Sequence, residues 1–236
     1  MSAPDVIREG DGDAIATRAA ALFAERVGAA LKERGAAHVA LAGGTTPERL
    51  YAQLSMPSWV GVELWFGDER CVGPRDAESN YKMVADVLLP HCAGAIVHRI
   101  AGELGAEAAA EAYEAQLRER IPENAAGVPV FDFVLLGIGE DGHTASLFPR
   151  NPALEASGVA CVPVHDAPKP PPDRVSLSLE VLRAARICVL LASGSGKRAA
   201  IAGALGKPTI DVPSSLLERE RLTVIADADA LANLER

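Results

Sequence analysis

Short apolar runs that stop at glycine or a polar turn, alternating with helical patterns, constrain this chain more than any other feature. Residues 38–42 end in Gly43-Gly44, residues 62–66 in Gly67-Asp68, residues 131–136 in Gly137 and residues 186–192 in Ser193-Gly194. Further extended runs are read at residues 96–100, 159–164 and 222–226. Helical patterns alternate with them at residues 13–34, 47–54, 80–89, 106–120 and 196–205. This order predicts an α/β fold: a mostly parallel, Rossmann-like sheet with helices on both faces. In such sheets ligands bind beyond the carboxyl ends of the strands, so chemistry is expected at the turns just named.

Composition narrows the partners. The 236 residues, without an internal repeat or long linker, are read as one domain spanning residues 1–236. Asp plus Glu outnumber Lys plus Arg by 32 to 23, and the resulting −9 argues against a nucleic-acid binder. A small anion would therefore need a local basic pocket. The longest clearly apolar stretch, residues 187–192, falls far short of the roughly 20 residues of a membrane span. The acidic start, residues 1–13, carries no basic segment followed by an apolar run, so no secretory pattern is read there. Cys71, Cys92, Cys161 and Cys188 form no C-x-x-C pair and are read as reduced thiols of a cytoplasmic protein. No two histidines have metal-ligand spacing and no G-x-S-x-G elbow occurs, so zinc and serine hydrolases lose support.

Four turns carry the chemistry. In Leu41-Ala-Gly-Gly-Thr-Thr-Pro47 a strand stops and a helix starts. Thr45 with Glu48 makes a capping box, and Thr46 before Pro47 is the competing N-cap. Either way, a helix N-terminus faces the strand ends and suits phosphate. Trp65-Phe-Gly-Asp-Glu-Arg70 sets three charges directly after a strand, a weak signal raised by its position. Gly137, Gly139 and Gly142 satisfy G-x-G-x-x-G, but His143 stands where a pyrophosphate would approach and Pro149 shortens the following helix. A histidine two residues after Asp141, among glycines, instead reads as a positioned acid/base. Ser193-Gly-Ser-Gly-Lys197 resembles a P-loop only superficially, since Leu191 replaces its first glycine and Arg198 its magnesium-binding hydroxyl. Lys197 remains a point charge for one phosphate. The run Pro168-Lys-Pro-Pro-Pro172 must be extended and exposed, a plain connector in the simpler reading and a stiff flap beside a site in the other.

Taken in order, these blocks resemble the 6-phosphogluconolactonases. The resemblance rests on Leu41-Ala-Gly-Gly-Thr-Thr-Pro47, Gly67-Asp-Glu-Arg-Cys71 with Ser79-Asn-Tyr81, Gly137-Ile-Gly-Glu-Asp-Gly-His-Thr-Ala-Ser-Leu-Phe-Pro149, Pro170-Pro-Pro-Asp-Arg-Val175 and Ser193-Gly-Ser-Gly-Lys197. It implies hydrolysis of 6-phospho-D-glucono-1,5-lactone, an ester hydrolase step of the oxidative pentose phosphate pathway, without cofactor or metal. The family is similar in fold to the glucosamine-6-phosphate deaminases, the nearest alternative. Those enzymes carry a glutamate five residues after the histidine, where this chain has Phe148. A non-catalytic sugar-phosphate sensor is the other alternative, and it would not need His143.

The converging turns give each residue an expected role. Gly43, Gly44 and Thr45 offer donors to the 6-phosphate, with charge from Arg174 and Lys197. His143, neutral at pH 7, takes a proton from the attacking water. Arg70 and nearby N–H groups are candidates for the oxyanion, and Asp68 and Asp141 for orienting His143 or the sugar hydroxyls. The expected partner is a small sugar-phosphate lactone, with no nucleic acid and no membrane, and the protein is expected to be a monomer or weak dimer.

Overall fold

The computed structural model describes residues 3–232 and Leu234, so the outermost residues of the expected domain lie outside the described ones. Among the described residues ten strands form: β1 (Asp5–Glu9), β2 (Ala37–Leu41), β3 (Val62–Phe66), β4 (Asp68–Arg70), β5 (Ile96–Val97), β6 (Phe133–Gly137), β7 (Cys161–Val164), β8 (Arg174–Leu177), β9 (Cys188–Ala192) and β10 (Leu222–Asp227). The α-helices are α1 (Gly12–Arg34), α2 (Thr45–Tyr51), α3 (Asn80–Val87), α4 (Ala106–Arg120), α5 (Leu179–Ala184), α6 (Arg198–Ala204) and α7 (Ala228–Leu231). Among the described residues no helix is long and apolar enough to cross a membrane.

The expected mostly parallel sheet forms from seven strands in the order β1-β10-β9-β6-β2-β3-β5, with every pairing parallel. β2, β9 and β10 are buried along their whole length, as a sheet covered on both faces requires. The long helix α1 shows how a covering layer is built. Asp11 caps it by accepting from the N–H groups of Asp13 and Ala14, and Gly35 closes its end. Its buried stripe, Ile15, Ala16, Ala19, Phe23, Val27 and Ala30, follows helical spacing, and Phe23 meets Phe133 of β6 edge-on at 5.2 Å. A fully buried side chain of that size contributes about 1.5–3 kcal/mol.

The sheet order decides where a ligand can sit. From β2 the chain adds β3 and β5 on one side, then crosses back to add β6, β9 and β10 on the other. The switch point therefore lies between β2 and β6, whose carboxyl ends carry the Gly43 turn and the His143 loop.

The observed sheets depart from the expected pattern in two places. The run at residues 159–164 does not join the parallel sheet. Its strand β7 belongs to a second, antiparallel sheet ordered β4-β8-β7. The reason lies in the chain's return at the flap. Residues 165–173 fold back so that Ala167 N–H bonds Pro172 O at 3.0 Å, which makes β7 and β8 a hairpin. The N-terminal strand β1 was not anticipated either, because its mixed sequence, Asp-Val-Ile-Arg-Glu, shows little alternation at a half-exposed sheet edge.

Candidate active site

The strands β9, β6, β2 and β3 are consecutive across the main sheet, so their four carboxyl-end turns face a common space. That space is a cavity of about 500 Å³. All nine residues singled out from the sequence line it: Gly43, Gly44, Thr45, Asp68, Arg70, Asp141, His143, Arg174 and Lys197.

The β2 turn differs from the expected cap. Gly44 occupies the N-cap position, and no side chain bonds there. Glu48 N–H already donates to Gly44 O at 3.0 Å, so Thr45 lacks the donor three residues on that a capping box needs, and Pro47 has no N–H to offer a cap at Gly44. The start of α2 is thus left to the cavity, with Thr45 exposed in its wall. Gly43 is required by a neighbour. A Cβ there would stand 1.9 Å from Asn80 Oδ1.

Asn80 is a site residue that the turn-by-turn reading left without a role. Its amide donates to Asp68 O at 2.9 Å and to Asp68 Oδ1 at 3.2 Å, while Ser146 Oγ donates to Asp68 Oδ2 at 2.6 Å. The Asp68 carboxylate is therefore held between α3 and the histidine loop. Glu69 organises the same corner from beneath. Its buried carboxylate accepts from the N–H groups of Arg70, Asn80 and Tyr81 at 2.7–2.8 Å and from Ser79 Oγ at 3.0 Å. Burial pushes the Glu69 carboxyl up, against the pull of those backbone donors. Nothing local in the sequence separates Glu69 from the two charged residues beside it.

His143 sits on the loop that ends β6. Its Nδ1 lies 2.6 Å from Asp141 Oδ1, and its backbone N–H donates to the same oxygen at 3.1 Å. Asp141, not Asp68, is thus the carboxylate that orients the ring. With Nδ1–H directed to Asp141, Nε2 is the nitrogen left for a substrate proton. Gly139 makes room for the pair, since a Cβ there would stand 2.1 Å from His143 Nδ1. Phe148 packs on the other side of the ring, centroids 4.6 Å apart. Burial lowers the His143 pKa below its usual value, more than the Asp141 charge raises it, so the ring is neutral at pH 7.

Two arginines face each other across the small sheet, Arg70 of β4 being the register partner of Arg174 of β8. Like charges directly opposed on a ladder are unfavourable, so this edge favours an anion. Arg70 donates through Nη1 to Glu78 O, and its buried Nε has no hydrogen-bond partner among the described residues. Arg174 is buried, donating through Nε to Pro171 O at 3.1 Å and through Nη2 to Lys169 O at 2.8 Å, with its guanidinium 5.4 Å from the Phe148 ring centre. Burial first, then Arg70, lowers its pKa from the usual value. The proline run that Arg174 grips is no plain connector, because Pro168, Lys169 and Pro170 line the cavity.

At the end of β9, Asp227 fixes the last turn. It accepts from Ser193 Oγ at 2.6 Å and Gly194 N–H at 2.9 Å, leaving Lys197 in the cavity wall. Asp227 lies 30 residues beyond Lys197, so no sequence spacing pointed to it. Among the described residues no cluster of three His, Cys, Asp or Glu could hold a metal ion.

The family model of glucosamine-6-phosphate isomerases/6-phosphogluconolactonase matches residues 10–226. The 6-phosphogluconolactonase of Streptomyces coelicolor is 38% identical, over 99% of this chain and 95% of its own length. A solved 6-phosphogluconolactonase from Trypanosoma cruzi superposes with a TM-score of 0.89 at 29% identity, covering 100% of this chain and 99% of that one. A monomeric glucosamine-6-phosphate deaminase superposes with a TM-score of 0.79 at 22% identity, over 97% and 99% of the two chains, a likeness of fold.

Proposed function

This chain belongs to the glucosamine-6-phosphate isomerase/6-phosphogluconolactonase family, and from that premise we propose that it hydrolyses 6-phospho-D-glucono-1,5-lactone to 6-phospho-D-gluconate. The observation that carries this reading is the His143–Asp141 pair, 2.6 Å apart in the cavity wall with Phe148 packed on the ring. Asp141 holds the Nδ1–H tautomer, so Nε2 can take a proton from water as its oxygen adds to C1. The addition gives a tetrahedral oxyanion, for which Arg70 in the cavity wall is the candidate donor. Collapse breaks the bond from C1 to the ring oxygen, and the histidine returns its proton to that oxygen as the sugar hydroxyl forms. The new carboxylic acid then ionises. No step calls for a metal.

Gly43, Gly44 and Thr45 with Lys197 hold the 6-phosphate, and Arg174 adds its charge. Asp68, its carboxylate already accepting from Ser146 and Asn80, is left to orient a sugar hydroxyl. Phe148 supports the lactonase reading over a deaminase one, because an apolar ring beside His143 offers no second carboxylate for ring opening. The four free cysteines fit a reducing, cytoplasmic setting.

The test is hydrolysis of freshly generated lactone above the spontaneous rate, with the product read by a coupled 6-phosphogluconate dehydrogenase. Acceleration by the wild type that disappears in His143→Ala is the expected result. Wild-type turnover in that variant would remove the histidine mechanism, and no acceleration by folded wild type would remove the lactonase.

A further inference from the structure

Four cations line the cavity, Arg70, Lys169, Arg174 and Lys197, and they are not equally available to a ligand. Arg70 donates to Glu78 O and lies 3.7 Å from its carboxylate. Arg174 commits Nε and one Nη2 proton to the carbonyls of Pro171 and Lys169, so one edge of its guanidinium is taken and three N–H groups are left for a ligand. Among the described residues, Lys169 and Lys197 are the two cavity cations whose side chains form neither an ion pair nor a hydrogen bond.

Lys169 is carried in an unusual way. It is flanked by Pro168 on one side and by Pro170, Pro171 and Pro172 on the other, a run whose backbone has little freedom left to lose. The ends of this segment are stapled. Ala167 N–H bonds Pro172 O at 3.0 Å, Cys71 N–H bonds Asp173 O at 3.0 Å, and His165 Nδ1 lies 2.8 Å from Asp173 Oδ1. The buried Arg174 holds the Lys169 carbonyl itself at 2.8 Å. Arg174 in turn packs over Phe148, which packs on His143. The flap is therefore built onto the catalytic wall by the same side chain that sequence reading would assign to the phosphate.

We propose that Lys169 is a phosphate-binding residue of this site, delivered to the cavity by a rigid proline flap that Arg174 positions. The inference rests on the sugar-phosphate reading above and adds a residue to it. A lysine binds phosphate as a point charge and needs no fork, so a short, stiff carrier suffices. Arg174 thus acts partly through Lys169, as a positioning residue for the flap.

Lys169→Ala and Lys169→Arg test this beside the wild type. Three quantities are read: binding of inorganic phosphate and of 6-phosphogluconate by calorimetry, KM and kcat for the phosphorylated lactone, and the same constants for unphosphorylated glucono-1,5-lactone. Loss of a charge-assisted contact predicts binding of both ligands weakened about tenfold to hundredfold in Lys169→Ala. The KM for the phosphorylated lactone rises by a similar factor, kcat stays near wild type, and the unphosphorylated lactone is unaffected. Lys169→Arg recovers most of the binding. Unchanged phosphate and 6-phosphogluconate binding in folded Lys169→Ala overturns the proposal, as does a loss confined to kcat, which would put Lys169 at the reacting carbon. If the wild type binds 6-phosphogluconate but does not accelerate lactone hydrolysis, the lactonase reading fails while the binding comparison still decides Lys169.

Discussion

Two histidine–carboxylate pairs in this protein have nearly the same geometry and opposite surroundings. His143 Nδ1 lies 2.6 Å from Asp141, and His98 Nε2 lies 2.7 Å from Glu63. The first is on a loop beyond a strand's carboxyl end, in the wall of the cavity. The second is inside the sheet layer. Its carboxylate belongs to the second residue of β3, with His38 of β2 as register partner, and its ring stacks on Trp65 at 3.8 Å. Only 8% of the His98 side chain is exposed, against 23% for His143, and the residues around the cavity do not include His98. A histidine held by a carboxylate is therefore not a site in itself. What makes one is a free second nitrogen facing a space that a substrate can enter, and in this fold such space exists beyond the strand ends at the switch point.

The sharpest way to break that comparison is to remove each histidine. His143→Ala is expected to lose about 10²–10⁴-fold in kcat while keeping 6-phosphogluconate affinity and the wild-type melting temperature. A stability loss without a kcat loss would reverse the roles assigned to the two pairs. Asp141→Asn is expected to cost less than removing the ring, because Nε2 survives but its tautomer and aim do not. The variant's kcat should fall with KM nearly unchanged.

Lys197→Ala sharpens the comparison from the ligand side. It should raise KM for the phosphorylated lactone about tenfold to hundredfold and leave kcat near wild type. His98→Ala should leave turnover intact and destabilise the fold by about 1–3 kcal/mol in urea unfolding, since the half-buried Glu63 loses a 2.7 Å hydrogen bond. Measured lactonase loss in that variant would mean that the sheet layer reaches the chemistry.

The smallest effects are those of pH. Burial lowers the pKa of His143, His38 and His98 alike. For His143 the basic form carries activity, so kcat/KM should fall only as pH drops through a value below the ordinary ~6.5. For His38 and His98 the unfolded chain binds more protons than the folded one between the lowered pKa and ~6.5. Their contribution to stability is therefore complete above ~6.5 and is lost as pH falls through the folded values. A pH–rate profile and a series of melting curves separate the two behaviours, because His143→Ala removes the first and leaves the second.

Much of this was legible in the chain itself. Alternating apolar runs and helical patterns determined a mostly parallel α/β sheet, because burial on both faces demands continuous apolar strands and the covering helices demand a 3.6-residue stripe. Glycines and charges at the strand ends marked His143, Asp141 and the loops at Gly43 and Lys197, since those residue types fit a turn that must approach a ligand. What the sequence could not decide were relations between distant segments. Asp141 rather than Asp68 orients the histidine, because Ser146 and Asn80 already hold Asp68. Arg174 faces Arg70 only because the flap folds β7 and β8 into a hairpin beside β4. Asp227 reaches Ser193 only because β10 and β9 lie side by side. Local pattern is set by neighbours in the chain, whereas the partner of a charged side chain is set by which strands the sheet brings together.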